Sequence, residues 1–276
     1  MKILILGASG YIGEHLTERL AADHEVSVLA RNHLTFSSPV ECIVDKTLLL
    51  SLPKSALGKE VLINLIGTTS GAHEQSHHEV NVALQKKILE AIEKSPIRRV
   101  IYTSTLLVSS DATNPYITSK REAESLYRSF SQKTKTSTVI LRLSNVYGPG
   151  LTKGVVGVFA QRAWKGEPVT IFGEKTERDF LFIDDAVDAL ARSISASFPS
   201  LFETVDICTG KPIRLKELLD TITHVLGKKA DVILAPPRPH EPEKILCQPE
   251  LARAVLGWHA KTTLPEGIGR TIGGMK

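Results

Sequence analysis

The chain has 276 residues, 42% hydrophobic and 23% charged, enough for one large α/β unit or a main domain with a smaller companion. Its net charge of +4 is small for that length and no basic stripe accompanies it, so nucleic acid is not an expected partner. No apolar run nears the ~20 residues that span a bilayer, and the N-terminal run breaks at Gly7, too short for a signal peptide, so no membrane partner is expected. A cytoplasmic location follows as the expectation, with Cys42, Cys208 and Cys247, far apart in sequence, as buried thiols rather than disulfides or a metal cage.

Taken in order, the unbroken apolar run Ile3 to Leu6 reads as a strand buried on both faces, as in a parallel sheet. Glycines follow at 7, 10 and 13, and Ile12, Leu16 and Leu20 then share one face of a helix. Gly7 permits a tight turn, Gly10 lets backbone approach a pyrophosphate, and Gly13 lets helix pack closely on strand. The free N–H groups and positive end of the helix face the anion. A dinucleotide is therefore the expected cofactor, with Gly7, Ser9, Gly10, Tyr11, Ile12 and Gly13 as contacts.

Glu25 to Ala30 reads as the second strand. An acid at its end would bind the adenosine ribose 2′-hydroxyl and repel a 2′-phosphate. None stands there, and Arg31 offers a planar, permanently charged donor set, which favours NADP(H) over NAD(H). Cys42 to Val44 reads as a third strand, with Asp45 placed to meet the adenine edge. Val61 to Ile66 reads as a fourth, and the polar loop after it, including Thr68, leaves the sheet edge where ligands sit. Thr68 is a candidate substrate contact.

His73-Glu74-Gln75-Ser76-His77 spells a zinc-protease pattern. Its flanks are polar and no third histidine follows at the required spacing, so no metal is expected and the stretch reads as the solvated start of the next helix. That helix runs through Leu84, Ile88 and Ile92 to about Lys94. Val100 to Tyr102 reads as a fifth strand ending in Thr103-Ser104-Thr105, with Ser104 a further substrate candidate.

Asn114 is a good N-cap and Pro115 suits the first helical position, so Tyr116 and Lys120 share a face in the opening turns of a helix. A phenol with a pKa near ~10 is a poor base at neutral pH. A neighbouring ammonium, the helix N-terminus and an oxidised nicotinamide all favour the phenolate. With a hydroxyl from Thr105 or Ser104, the group can exchange a proton at a carbinol or carbonyl while hydride moves to or from nicotinamide.

These residues together resemble the extended short-chain dehydrogenase/reductases, in their nucleotide-sugar epimerase/dehydratase/reductase branch, through nearly the whole chain. Gly7, Gly10 and Gly13 match the cofactor loop and Asn81 the asparagine opening the helix after strand four. Thr105, Tyr116 and Lys120 match the catalytic triad, with Lys120 also implied to hold the cofactor ribose. Arg142 to Gly150 looks like the Arg-x-x-Asn-Val-Tyr-Gly-Pro-Gly signature, which makes Asn145 an implied substrate contact. Arg178 and Arg238 stand where the resemblance implies contacts to a nucleotide diphosphate, the second within Arg238-Pro239-His240-Glu241, similar to Arg-Pro-Gly-Asp. Leu256-Gly257-Trp258 resembles the C-terminal marker. Leu106-Leu107 replaces the acid pair that dehydratases of this branch use to eliminate water, which argues against dehydration.

The expected fold is α/β: a Rossmann doubly wound parallel sheet over residues 1–150, with 178–200 returning to it, and a smaller mixed α/β C-terminal substrate domain over 151–276. The expected activity is NADPH-dependent reduction of a nucleotide-activated keto-sugar with Tyr116 as general acid. A nucleotide-sugar epimerase with retained cofactor uses the same residues, and a non-catalytic dinucleotide sensor uses the same fold. The resemblance further implies a homodimer built from the helices that begin near Asn81 and Asn114.

Overall fold

Short runs of Ile, Leu and Val without alternation can be satisfied only where a sheet is covered on both faces. The computed structural model, which describes residues 1–69 and 74–275, arranges them that way. Strands β1 (Lys2–Leu6), β2 (Glu25–Ala30), β3 (Glu41–Val44), β4 (Val61–Asn64), β5 (Arg99–Thr105) and β6 (Ser137–Leu143) form most of one parallel sheet. After β7 (Asn145–Tyr147), β8 (Val169–Phe172), β9 (Glu177–Arg178) and β10 (Phe180–Phe182), strand β11 (Phe202–Ile207) returns to complete it. The order is β11-β6-β5-β4-β1-β2-β3, every pair parallel, so the order reverses at β1 and the crevice beside its C-terminal end is the place for a ligand. Ile3 to Leu6 are fully buried.

Helix α1 (Tyr11–Ala21) follows β1, and the short α2 (Leu52–Ser55) leads to β4. The segment after β4 departs from a single regular helix. It comprises α3 (Glu74–His78), a π-turn over Glu79–Ala83 and α4 (Leu84–Ile92). The widened turn carries the Leu84 N–H to the Glu79 carbonyl, and the Gln85 amide meets the Val80 carbonyl at 3.1 Å. Gln85 is fully buried and joins Asn64 and the Tyr127 hydroxyl, at 2.7 and 2.9 Å, in one polar knot. Such a knot is stable because each member has partners.

Helix α5 (Pro115–Thr134) covers the same face, and α6 (Gly154–Lys165) and α7 (Ile183–Ser193) follow. Residues Phe180–Phe182 do not rejoin the main sheet; they pair in parallel with β7, and it is Phe202–Ile207 that returns. Beyond lie β12 (Ile213–Arg214), α8 (Leu215–Leu226), β13 (Val232–Ala235), α9 (Glu250–Leu256) and α10 (Leu264–Gly273). Gly227 ends α8 with φ of 64°, as the apolar spacing followed by glycine predicts.

The expectation of three separate thiols is corrected. Cys208, just past β11, and Cys247 are disulfide-bonded with Cα atoms 6.6 Å apart, whereas Cys42 is free. The pair is 39 positions apart in sequence, and only the return of β11 beside the C-terminal segment brings them together. No helix among the described residues is long and apolar enough to cross a membrane.

Candidate active site

Three adjoining cavities run along the C-terminal ends of the strands. The first, about 590 Å³, is lined by Gly7, Ser9, Gly10 and Arg31, and closed by Lys46–Leu48 and Gly67–Thr68. The second, about 230 Å³, is lined by Ile12, Thr68, Ser104, Thr105, Tyr116 and Lys120. The third, about 650 Å³, holds Asn145, Arg178, Arg238 and Glu241 and again Thr105 and Tyr116. Tyr116 and Thr105 thus stand at the junction of the narrow cavity and the large one.

The loop over the first cavity is built as its glycines require. Gly7 has φ of +84° and its carbonyl accepts the Gly10 N–H at 3.0 Å. A Cβ at Gly13 would strike the Gly7 carbonyl oxygen and come within 2.7 Å of the Ala8 Cα, so Gly13 shapes the loop from behind rather than lining the cavity. Helix α1 has no side-chain cap, which leaves its first N–H groups for an anion at that end. A dinucleotide phosphate fits this cradle.

Two expected contacts are placed elsewhere. The Tyr11 ring turns away from the cavities, edge-on to His15 at 4.8 Å and beside Gly148, so only its backbone is available to a cofactor. The Asp45 carboxylate organises its own loop instead of reaching the adenine region: it accepts the Thr47 N–H and Oγ1 and the Ser51 N–H at 2.8–2.9 Å. Those bonds, the one from Ser51 first, pull its pKa down to about 2.

Around the second cavity, Asn114 caps α5 by accepting the Ile117 N–H at 2.9 Å. This places Tyr116 and Lys120 in the opening turns, over the end of β5. Burial pushes the Tyr116 phenol up to about 12, against a smaller opposing effect of its hydrogen bond with Thr105. Lys120 does not act through simple proximity of charge. It is buried, donates to the Tyr102 hydroxyl at 2.7 Å and the Thr103 carbonyl at 2.8 Å, and burial lowers it to about 7 while the Glu124 carboxylate opposes the shift. Tyr102 gave no sign of this role, because a tyrosine in an apolar strand reads as core.

Asn81 joins the two sides: its amide pairs with the backbone of Thr68 at 2.9 and 3.0 Å and donates to Ser119 at 3.0 Å. Arg142 on β6 grips Glu124 on α5 through two bonds, 3.0 and 2.6 Å, with side chains 23% and 10% exposed. Glu124→Ala is expected to destabilise the fold by about 3 kcal/mol, because a half-buried guanidinium loses its counter-charge. Urea unfolding monitored by circular dichroism measures it, and Glu124→Gln should recover part of the loss.

In the third cavity Arg178 is 8% exposed and anchored to the carbonyls of Glu177 and Glu243, at 2.8 and 3.2 Å. Burial lowers its pKa while Glu241 raises it. Glu241 lies 3.5 Å from both Arg178 and Arg238, so one carboxylate joins the two guanidinium groups. Asn145 donates to the Asp179 carbonyl at 3.0 Å. Thr68 and Ser104, expected among substrate contacts, line the narrower cavities instead; Thr69 and Leu107 reach the third.

The His-Glu-x-x-His stretch is solvated only in part. His73 lies outside the described residues, and His78 is exposed near Glu122 at 3.8 Å. His77 is 7% exposed and lines the third cavity, a place its polar flanks did not foretell.

The parallel sheet with its reversal at β1, the glycine cradle and the phenol at the junction define a dinucleotide-binding oxidoreductase fold. Residues 3–200 match the profile of the NAD dependent epimerase/dehydratase family, and the chain belongs to that family, among the extended short-chain dehydrogenase/reductase enzymes. It is 27% identical to a UDP-glucose 4-epimerase of Mycolicibacterium smegmatis over 99% of this chain and 97% of that one. A UDP-glucose 4-epimerase of Thermus thermophilus, solved in complex with NAD, superposes with a TM-score of 0.83 at 25% identity over 99% and 98% of the two chains. A UDP-glucuronic acid 4-epimerase of Bacillus cereus, solved with UDP-glucuronic acid and NAD, gives 0.90 at 22% identity over 100% and 99%, a likeness of fold.

Proposed function

We propose that the chain is a UDP-sugar 4-epimerase that retains a nicotinamide dinucleotide through turnover. The observation that carries the reading is the position of Tyr116 and Thr105, which line both the narrow cavity and the large one. The large cavity also holds two arginines suited to a diphosphate. The names of the similar proteins move this reading ahead of net keto-sugar reduction, which the same residues could also perform.

The glycine loop and the Gly67–Thr68 turn would hold the dinucleotide, which when bound would accept two electrons and a hydrogen from the sugar carbon and return them. Tyr116 takes the proton of the sugar 4-hydroxyl and gives one back to the 4-oxygen after the ring has presented its other face. Thr105 orients that oxygen. Lys120, tied to Tyr102 and Thr103, fixes the floor beneath the phenol. Leu107 lines the same cavity and can neither donate nor accept a proton, which supports epimerisation over elimination.

UDP-glucose, UDP-glucuronate and UDP-N-acetylglucosamine should each be incubated with the protein, with products separated by anion-exchange chromatography and reduced nicotinamide followed by absorbance. The expected result is formation of a 4-epimer without net nicotinamide oxidation or reduction. Stoichiometric reduction of NAD(P)+ by these sugars, or stoichiometric oxidation of NAD(P)H when a 4-keto sugar nucleotide is supplied, would overturn the reading in favour of net oxidoreduction.

Arg31 is exposed at the rim of the first cavity, and no acid ends β2. Both features support use of NADP(H) as well as NAD(H). Arg31→Ala is expected to weaken NADP(H) about tenfold and leave NAD(H) unchanged, measured by titration calorimetry.

A further inference from the structure

His77 is buried in the wall of the large cavity, which Thr69, Thr105 and Tyr116 also line. Its ring meets that of Tyr116 with centroids 5.8 Å apart and planes tilted by 57°. Its Nδ1 is enclosed and has no hydrogen-bond partner among the described residues. An apolar ring would pack against Tyr116 equally well without leaving a polar nitrogen desolvated. Its neighbour His78, by contrast, is exposed beside Glu122.

Either ring nitrogen of an imidazole can pair with a sugar hydroxyl, which both donates and accepts. We propose that His77 is a specificity-determining residue, its imidazole hydrogen-bonding a ring hydroxyl of the hexose next to the oxygen served by Tyr116. The inference rests on the nucleotide-sugar reading above and deepens it: the preferred substrate keeps a free hydroxyl at that neighbouring position. The same cavity is lined by Thr69, Thr105, Leu107, Asn114 and Pro115, and an imidazole among them distinguishes a hydroxyl from a hydrogen by the bond it makes or loses.

The test compares the wild-type protein, loaded with NAD, with His77→Phe and His77→Gln. Calorimetry measures binding of UDP-glucose and of its single-deoxy analogues. His77→Phe should weaken UDP-glucose about tenfold, His77→Gln less, and NAD binding should not change. One deoxy analogue should bind the wild type as weakly as UDP-glucose binds His77→Phe, and the two losses should not add. Equal loss across every analogue, or no loss at all, overturns the inference alone. Failure of the wild type to bind any UDP-sugar while still binding NAD overturns the functional reading, and the inference with it.

Discussion

Tyr116→Phe is expected to lower kcat for UDP-sugar epimerisation by ~10²–10⁴-fold, the usual contribution of a positioned acid/base. Dinucleotide affinity should change little, because the lost hydroxyl hydrogen-bonds Thr105 and not the glycine loop. The reason for so large an effect lies in the surroundings of the phenol. Burial pushes it up to about 12, so at neutral pH the unliganded protein holds it as an acid. Lys120, itself lowered to about 7 and engaged with Tyr102, cannot reverse this alone. Loss of charge on Lys120 as pH rises through about 7 removes further support for a phenolate. Turnover by Tyr116→Phe at the wild-type rate, measured with saturating sugar nucleotide, would show that another group moves the proton.

The glycine loop supplies the second large effect, and two substitutions separate fold from ligand. At Gly13 a methyl group meets the Gly7 carbonyl and the Ala8 backbone, neither of which can move without opening the turn. Gly13→Ala is expected to cost about 3 kcal/mol of stability and to abolish dinucleotide binding. At Gly10 the nearest atom to an added Cβ is the Gly7 oxygen at 3.3 Å, a tight contact but far milder than the clash at Gly13, while the methyl lies at the wall of the first cavity. Gly10→Ala should therefore lose much less stability than Gly13→Ala and still lose NAD. Thermal unfolding paired with calorimetric titration of NAD checks both, and equal behaviour of the two variants would contradict the geometry.

Local chemistry was read correctly where neighbours in sequence decide it. The strand-glycine-helix opening, the Asn114 cap that starts α5 and the glycine that ends α8 all depend on a few adjacent residues. The two arginines of the large cavity were found only through resemblance, since either one alone looks like a surface residue. Asp45 was misplaced because a strand-end carboxylate looks free until the turn to Ser51 is folded. The π-turn was missed because Gln85, a polar residue in an apolar stripe, stabilises it from inside.

The sequence by itself determined that a parallel sheet would begin the chain, that a dinucleotide loop would follow its first strand, and that Tyr116 and Lys120 would share a helix face. Hydrophobic runs, glycines and caps act over a turn or two, and their consequences are local. Only the tertiary structure decided that Lys120 answers to Tyr102, that His77 lines the large cavity, that Glu241 joins two arginines and that Cys208 meets Cys247. Each of these pairs distant segments, and their contacts exist only once strand order and helix packing have brought those segments together.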